Sequence, residues 1–330
     1  MKLAILGTGK IVQEGALPAL KNVPEIEVIA IYARQHSKGV AENLAKEYSI
    51  PKVVTEYAEI LQDESVDFVY IGLVNSVHYE YAKQALLAGK NVIVEKPFAA
   101  TAAEVKEISE LALAKGLYVF EAVTSLHLPN FQTVKASLVK IGRIKMVTAN
   151  YSQYSSRYDR YLQGEVLPAF DPAKFGGALT DINIYNINII IALFGSPLNT
   201  RYIPNLGFNG VDTSGVLELR YQDFVAIAIG AKDSDSPSFF TIQGEKGWIR
   251  VIGAPNELKA VEVSVRSEHL VKRYELNKYD NRMIHEFKEF ALTFAKRDYE
   301  KMKIGLKTSL TVLETVEKAR LAAKLMPADD

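Results

Sequence analysis

Two short stretches of the sequence have ionisable side chains at positions where a protein core would favour apolar ones. Glu95-Lys96-Pro97 ends the largely apolar run Asn91–Val94, and the proline stiffens the chain directly after the lysine. Asp181, Tyr185 and Asn188 are spaced i, i+4 and i+7, so they share one face of a predicted apolar helix. A phenol and an ammonium both titrate near pH 10 and lose their protons more readily beside a positive charge. The two stretches therefore suit proton transfer, although a solvated strand end and a solvated helix face would have the same sequence.

The composition excludes several classes of protein. The length of 330 residues predicts two domains. Lys+Arg and Asp+Glu balance at 39 each, so no nucleic-acid partner is predicted. The absence of cysteine excludes disulfides, thiolate metal sites and a cysteine nucleophile, and the five histidines show no metal-ligand spacing, so no metal is predicted.

No membrane partner is predicted either, because no apolar run approaches the roughly 18 residues that a membrane helix needs. The apolar start Leu3–Leu6 is broken by Gly7, too soon for the core of a signal peptide. We therefore predict a cytoplasmic protein.

The N-terminus has the strand, glycine loop and helix of a dinucleotide-binding site. The apolar strand Lys2–Leu6 runs into Gly7-Thr8-Gly9-Lys10-Ile11 and then a helical stretch. Gly7 permits the tight turn, and Gly9 lets the backbone approach a pyrophosphate at the helix N-terminus. Val12 stands where a third glycine would allow close packing of helix and strand, so the fingerprint is incomplete. A plain turn is the alternative.

The end of the second predicted strand, Val28–Tyr32, favours NADP over NAD. An NAD site would have an acidic residue there to bind the ribose hydroxyls. The chain instead has Arg34, Ser37 and Lys38, which could hold a 2′-phosphate, since arginine offers a flat, charged fork for phosphate. A solvated basic loop is the alternative, and NAD stays possible.

The chain changes character near residue 122. Before it, apolar strands alternate with helices, which predicts a doubly wound parallel sheet and a Rossmann domain over residues 1–122. After it, strands dominate, which predicts an α+β domain over residues 123–330 with a large open, mostly antiparallel sheet. A last amphipathic helix over residues 304–324 is expected to pack under the first domain or against this sheet.

The strand Phe224–Ile229 predicts an oligomer. Its residues do not alternate between apolar and polar, so both faces need cover. Helices can cover one face, and a second subunit is the economical cover for the other. A central strand sandwiched within one chain is the alternative.

Several motifs of the first half resemble, in order and spacing, the Gfo/Idh/MocA family of NAD(P)-dependent oxidoreductases. The motifs are Gly7-x-Gly9, Asn75-x-x-His78, Ala88-Gly89-Lys90-Asn91-Val92-x-x-Glu95-Lys96-Pro97 and Glu121-Ala122. The resemblance implies that Lys96 lies near the nicotinamide and the substrate. It also implies that Asn75 and His78 line the cofactor site with Glu95 and Pro97, and that the Lys96–Pro97 bond is cis. Leu73-Val74 replaces the family's usual Thr-Pro, but Leu73 is still expected at the cofactor.

The segment Gly176–Tyr185 is similar to the family's Gly-Gly-x-Leu-x-Asp-x-Gly-x-His motif, whose Asp and His lie in the substrate site. Asp181 matches, Asn183 replaces the glycine and Tyr185 stands where the histidine usually is. Tyrosine there is similar to the glucose–fructose oxidoreductase and trans-dihydrodiol dehydrogenase branch, whose members use NADP. The family also commonly dimerises through its open sheet, which implies a homodimer or a higher homo-oligomer.

These observations together predict an NADP-preferring oxidoreductase that acts on a secondary alcohol or carbonyl of a sugar, cyclic polyol or dihydrodiol. Tyr185 is the expected proton donor or acceptor with Lys96 as its electrostatic partner, their roles exchangeable, and Asp181 orients the substrate or Lys96. Arg157 lies in the long loop Tyr154–Lys174, a type of segment that often sets substrate choice. The alternatives are a redox-silent NADP-binding regulator and an NAD-dependent glycosidase on the same scaffold.

Overall fold

The computed structural model describes residues 1–325, which form two compact units. Met1–Thr124 and Tyr279–Leu310 make up the first unit, and the second contains Ser125–Lys278 and the chain from Thr311 onward. The first crossing between the units lies close to the boundary predicted at residue 122. The main difference from the predicted division is that Tyr279–Leu310 returns to the first unit.

Strands and helices follow one another along the described chain from Lys2 to Ala322. The strands are β1 (Lys2–Leu6), β2 (Glu27–Tyr32), β3 (Lys52–Val54), β4 (Phe68–Ile71), β5 (Asn91–Glu95), β6 (Val119–Ala122), β7 (Ile144–Ser152), β8 (Asn199–Leu206), β9 (Asp212–Arg220), β10 (Val225–Ala231), β11 (Phe239–Gly244), β12 (Gly247–Ile252), β13 (Ala260–Val265) and β14 (Leu270–Tyr274). The α-helices are α1 (Leu17–Leu20), α2 (Lys38–Tyr48), α3 (Tyr57–Gln62), α4 (His78–Leu87), α5 (Ala102–Lys115), α6 (Thr124–His127), α7 (Pro129–Ser137), α8 (Tyr158–Leu162), α9 (Ala178–Asp181), α10 (Ile184–Phe194), α11 (Met283–Ala295) and α12 (Tyr299–Ala322). Ile11–Ala16 is π-helical, and short 3-10 helices span Gln35–Ser37, Asn75–Val77, Leu138–Lys140, Pro168–Phe170, Pro172–Lys174 and Arg266–Glu268.

The first unit is built on a six-stranded sheet in the order β3-β2-β1-β4-β5-β6. Every strand pair is parallel, and the central strands are buried, as the apolar runs require. The predicted doubly wound parallel sheet is confirmed. The strand order reverses between β1 and β4, and in such sheets ligands bind outside the carboxyl ends of the strands at that reversal.

Helix α11 adds an aromatic layer to this sheet. The ring of Phe290 stacks on Phe120 at 4.7 Å, and the ring of Phe294 meets Phe68 edge-on at 4.9 Å. Phe287 is fully buried in the same layer. The apolar stripe of this helix is therefore core, and it is what returns Tyr279–Leu310 to the first unit.

The second unit is built on an eight-stranded sheet in the order β14-β13-β12-β11-β7-β10-β9-β8. β7 and β10 are parallel, and the other pairs are antiparallel. The predicted open, mostly antiparallel sheet is confirmed. Sequence reasoning missed β8, whose exposed polar residues and Pro204 hide it. Its place at the end of the strand order explains how a proline is tolerated there.

Strand β10 has two different faces. Ala226, Ala228 and Gly230 are buried where the N-terminal turns of α10 approach closely, and a Cβ added to Gly230 would lie 2.6 Å from Cβ of Asn183. On the other face Val225 is 42% exposed, and Ile227 and Ile229 are half-buried. The helix covers the face with small residues, and the branched residues lie on the open face of the sheet.

Among the described residues, no single helix combines the length and apolar composition that a membrane span needs; α10 passes that test only jointly with Pro172–Asp181, to which it is bent by 62°.

Candidate active site

The Glu95-Lys96-Pro97 segment follows β5 at the carboxyl edge of the first sheet. The Lys96–Pro97 bond is cis, as the sequence resemblance predicted. Glu95, Pro97 and Phe98 are buried, whereas Lys96 is only half-buried. The lysine is thus the residue of this turn whose side chain reaches the surface.

Three side chains from neighbouring elements hold the backbone on both sides of Lys96. The hydroxyl of Tyr70, on β4, donates to Oε1 of Glu95 at 2.6 Å. The backbone N–H of Phe98 donates to Oε1 of Glu121, on β6, at 2.9 Å. Nδ1 of His78, at the start of α4, lies 2.9 Å from the carbonyl oxygen of Pro97. We call these three contacts the Lys96 clamp.

His78 also fixes the loop after β4. Its Nε2 lies 3.1 Å from the carbonyl oxygen of Leu73, and the ring is fully buried. Burial lowers the pKa of His78, so the neutral ring is favoured, and its single N–H donates to one of the two carbonyls at a time. The buried imidazole joins the loop after β4 to the turn after β5 through these carbonyls. Leu73 and Asn75 in that loop are half-exposed.

Two carboxyl groups of the clamp, Glu95 and Glu121, are buried, and so is the neighbouring Glu286. Burial raises the pKa of Glu95 and raises that of Glu121 to about 7. Burial, and then the neighbouring charge of Glu95, raise the pKa of Glu286 well above its usual range. The hydroxyl of Ser309 donates to Oε2 of Glu121 at 2.5 Å. Near neutral pH this carboxyl cluster therefore retains protons that exposed glutamates would have lost.

Sequence reasoning missed the roles of Glu121 and Glu286. The available signal was a carboxylate at the end of the apolar run Leu117–Glu121 and another inside the apolar stripe of α11. Neither position shows from sequence alone that the side chain turns inward.

The glycine loop has the tight turn that the sequence predicted. Gly7 has φ +109°, its N–H donates to the carbonyl of Tyr32 at 3.0 Å, and a Cβ there would lie 2.7 Å from the carbonyl oxygen of Gly72. Val12 is fully buried, and a Cβ added to Gly72 would lie 2.7 Å from its Cγ2. The space that a third glycine would leave in the helix is supplied instead by Gly72 on the neighbouring strand end.

The rest of the predicted cofactor set lies at the same edge of the first sheet. Gly9, Lys10 and Ile11 are exposed and Thr8 is half-buried. Arg34 and Lys38 are exposed at the end of β2, and the hydroxyl of Ser37 donates to the carbonyl of Arg34 at 3.1 Å. An open glycine loop beside an exposed basic turn suits the pyrophosphate and 2′-phosphate of NADP.

In the second unit, close contacts with Pro168 and Asp212 leave no room for side chains at Gly176-Gly177. A Cβ on Gly176 would lie 2.6 Å from the carbonyl oxygen of Pro168. Gly177 has φ +118°, and a Cβ there would lie 2.0 Å from Oδ1 of Asp212. Oδ2 of Asp212 accepts the N–H of Leu179 at 2.7 Å, so this carboxyl holds the first turn of α9.

The prediction of a single helix through Asp181, Tyr185 and Asn188 is wrong. The chain forms α9 up to Asp181 and starts α10 at Ile184. Asp181 and Tyr185 are half-exposed, whereas Asn188 is buried and its amide donates to the carbonyl of Ile184 at 2.9 Å. The break arises at Asn183, whose side-chain amide donates to the carbonyl of Ala228 on β10 at 3.0 Å. The ring of Tyr185 lies 6.0 Å from the ring of Tyr151.

Asp181 pairs with a buried lysine that sequence reasoning missed. Nζ of Lys232 donates to Oδ2 of Asp181 at 2.8 Å and to the carbonyl of Ala169 at 2.5 Å. The signal was a lysine directly after the apolar strand β10, the same pattern that singled out Lys96 after β5.

The segment Tyr154–Lys174 is not the structureless loop that the sequence predicted. It contains α8 and two 3-10 helices, and its aromatic side chains form a small core together with Val211. The ring of Tyr161 stacks on Phe170 at 4.8 Å and on Phe208 at 4.4 Å. Arg157 is exposed at the start of α8.

Among residues 1–325, no group of three or more His, Asp and Glu side chains is placed to hold a metal ion.

A doubly wound sheet with an open glycine loop, followed by a unit on an open antiparallel sheet, defines a dinucleotide-binding protein of two parts. The chain belongs to the Gfo/Idh/MocA oxidoreductase family: residues 1–123 match its NAD-binding Rossmann fold, and residues 131–250 match its C-terminal domain.

Curated relatives agree with this membership, and solved structures share the fold. The chain is 32% identical to a scyllo-inositol 2-dehydrogenase (NADP(+)) of Bacillus subtilis, over 100% of this chain and 99% of the relative. It is 29% identical to a trans-1,2-dihydrobenzene-1,2-diol dehydrogenase of Bos taurus, over 90% and 86% of the two chains. A 3-ketoreductase of Actinomadura kijaniata in complex with NADP and TDP-benzene shares the fold with a TM-score of 0.83 at 22% identity, covering 98% and 97% of the chains. A levoglucosan dehydrogenase in complex with NADH and levoglucosan shares it with a TM-score of 0.84 at 18% identity, covering 98% of each.

We predict that Glu121 makes stability depend on pH. Its pKa is about 7 in the folded protein against an ordinary 4.5. Its contribution is therefore fully present below about pH 4.5 and is lost as the pH rises through about 7, a total of roughly 3 kcal/mol. Glu121→Gln removes this dependence, so the free energy of unfolding of the variant relative to wild type rises between pH 5 and 8. Urea unfolding followed by circular dichroism measures it.

The matched control is Glu110→Gln, since Glu110 is exposed on α5. Its difference from wild type should stay constant over the same pH range. A difference for Glu121→Gln that is equally constant would contradict the assignment.

Proposed function

We propose that the chain is an NADP-preferring oxidoreductase that transfers a hydride to or from a carbon bearing a secondary hydroxyl or carbonyl, in a sugar, cyclic polyol or dihydrodiol. The observation that carries the proposal is the Lys96 clamp: a half-buried lysine held on both sides by buried groups, at the sheet edge that also carries the glycine loop. The relatives support the substrate class, because they are named for an inositol and for a dihydrodiol.

The cofactor-binding residues follow from the arrangement at the edge of the first sheet. Gly7, Thr8, Gly9, Lys10 and Ile11 would hold the pyrophosphate through backbone N–H groups and the helix N-terminus. Arg34, Ser37 and Lys38 would hold the 2′-phosphate. The nicotinamide half would lie against Leu73, Asn75 and the Glu95-Lys96-Pro97 turn, whose shape His78 maintains. When bound, NADP supplies or accepts the hydride.

The proton of the substrate hydroxyl needs its own path. Tyr185 would exchange it as donor or acceptor, with the ammonium of Lys96 as its electrostatic partner. Asp181 would bind a substrate hydroxyl as a hydrogen-bond acceptor, and exposed Arg157 would help to select the substrate. Tyr185 and Lys96 could exchange the roles of proton carrier and electrostatic partner.

Replacing Lys96 by methionine should lower kcat by roughly 10²–10⁴-fold, the usual loss for a proton-transfer group. Methionine keeps the length and the apolar stem, and the backbone clamp does not use the ammonium, so the Kd for NADP should change by less than about threefold. NADPH absorbance measures turnover on a panel of polyols, and fluorescence titration measures cofactor binding.

Lys106→Met, at an exposed position of α5, is the control and should keep full activity. Near wild-type kcat for Lys96→Met would refute the assignment. Wild type that binds NADP and never reduces it would instead indicate a redox-silent regulator. Release of free sugar from a glycoside without net reduction would indicate the glycosidase.

Replacing Arg34 by alanine should reduce the preference for NADP over NAD by roughly 10- to 100-fold, since a charge-assisted contact to phosphate is worth a few kcal/mol. The kcat/KM with NAD, which lacks that phosphate, serves as the internal control and should stay nearly constant. Equal losses with both cofactors would show that Arg34 does not read the 2′-phosphate.

The open face of the second sheet supports a homodimer. Val225, Ile227 and Ile229 line its centre on β10, and Met146 beside them on β7 is 43% exposed. An apolar strip of this kind on a large open sheet suits the same strip of a second copy. The cytoplasmic location stays a prediction from the sequence.

Replacing Ile227 by glutamate should convert the dimer to a monomer, because a carboxylate would be buried without a partner in the interface. Light scattering coupled to size exclusion should give twice 36.6 kDa for wild type and 36.6 kDa for the variant. Leu113→Glu, at an exposed site of α5, should leave the mass at the dimer value. A monomeric wild type would reject the proposal.

A further inference from the structure

Lys232 is a charged side chain in a place that favours an apolar one. It directly follows β10, and its side chain is 3% exposed. Removing an ammonium from water costs several kcal/mol unless it is paired and hydrogen-bonded. An apolar residue of similar volume at such a site is often as stable or more so. The contacts that Lys232 makes therefore indicate what its charge is for.

The contacts join both ends of the Tyr154–Lys174 segment to the candidate site. The backbone carbonyl of Lys232 accepts the N–H of Ser155 at 2.9 Å, at the start of the segment. Its Nζ donates to the carbonyl of Ala169 at 2.5 Å and lies 4.4 Å from the centre of the Phe170 ring, near the end of the segment. The same Nζ donates to Asp181. One residue thus holds the aromatic segment and the candidate substrate-binding carboxylate together.

The carbonyl of Ala169 extends this connection through the backbone. It also accepts the N–H of Gly177 at 3.2 Å, and the carbonyl of Gly177 accepts the N–H of Asp181 at 3.1 Å. Asp181 is therefore held to Ala169 by two routes, through the lysine side chain and through the glycine turn. A shift of the segment at Ala169 would move the carboxylate.

The neighbouring Asp233 has other partners. Its Oδ2 accepts the hydroxyls of Thr213 at 2.7 Å and Ser214 at 2.8 Å. Asp181, by contrast, keeps 37% of its side-chain surface exposed while its Oδ2 bonds to Lys232. A carboxylate can only accept hydrogen bonds, so the exposed part of Asp181 presents acceptor oxygens to a ligand.

We infer that Lys232 is a positioning residue that fixes Asp181 as an acceptor for a substrate hydroxyl and couples its position to the Tyr154–Lys174 segment. This inference rests on the proposed function and assigns Asp181 recognition rather than proton transfer. Substitutions in the segment would then alter substrate choice through Ala169 and Lys232 as well as by direct contact.

The test replaces Lys232 by methionine, which keeps the volume and removes the charge. Lys272→Met is the matched control, because Lys272 pairs with Glu268 at 2.6 Å on the surface of the same unit. With scyllo-inositol and other polyols as probes, the KM for polyol should rise roughly 10- to 100-fold in Lys232→Met, as expected for a misplaced binding group. The KM for NADP should stay within about twofold, since the glycine loop is untouched.

A double-mutant cycle separates coupling from general damage. In an Asp181→Asn background, Lys232→Met should change kcat/KM by less than about twofold, because the two residues act as one unit. Additive losses would overturn the inference.

Hydrogen exchange gives a readout that does not need turnover. Amides of the peptide 169–181 should exchange roughly threefold or more faster in Lys232→Met and unchanged in Lys272→Met. If wild type turns over no sugar, polyol or dihydrodiol, the proposed function fails while this exchange still decides the role of Lys232. Unchanged exchange overturns the inference. If the methionine variant does not fold, Asp181→Asn weakens the same contact and should show the faster exchange itself.

Discussion

The candidate site in the first unit depends on the hydrogen bonds that hold the turn after β5. β4 and β6 flank β5 in the sheet, so Tyr70 and Glu121 reach this turn from either side. His78 reaches it from the start of α4. The parallel strand order is therefore what makes the clamp possible, since it brings three distant parts of the chain to one strand end. Burying these carboxyl groups costs free energy. Their hydrogen bonds fix the backbone around Lys96 while the lysine side chain stays half-buried.

The second unit solves a related problem in the opposite way. Lys232 also follows an apolar strand, but its charge is turned inward and Asp181 reaches the surface. In the first unit buried acids support a half-exposed base, and in the second a buried base supports a half-exposed acid. Each arrangement fixes the outer group through a partner that solvent cannot reach, which is how a site keeps its geometry before a ligand arrives.

Much of the fold could be predicted because it rests on local signals. Alternating strands and helices, the glycine turn at Gly7 and the run before Lys96 each lie within a short stretch of sequence. The errors came from long-range contacts. The expected helix is interrupted at Asn183, whose side-chain amide donates to a carbonyl on a strand 45 residues later. Lys232 lies 51 residues from Asp181 and 63 from Ala169, so no spacing rule links them. The inward turn of Glu121 likewise depends on Ser309, 188 residues away.

The contact between Val12 and Gly72 has a consequence for how such loops are detected. Helix and strand can approach closely only if one of the two facing residues is small. The small residue can stand on either the helix or the strand. In this chain the small residue is at the end of β4 and the larger one is in the helix. A sequence pattern that covers only the N-terminal loop counts the third glycine as missing. A pattern that considers the combined side-chain volume at positions 12 and 72 recognises that Gly72 compensates for Val12. A larger residue at one of these positions requires a smaller residue at the other, so the two residues should vary together.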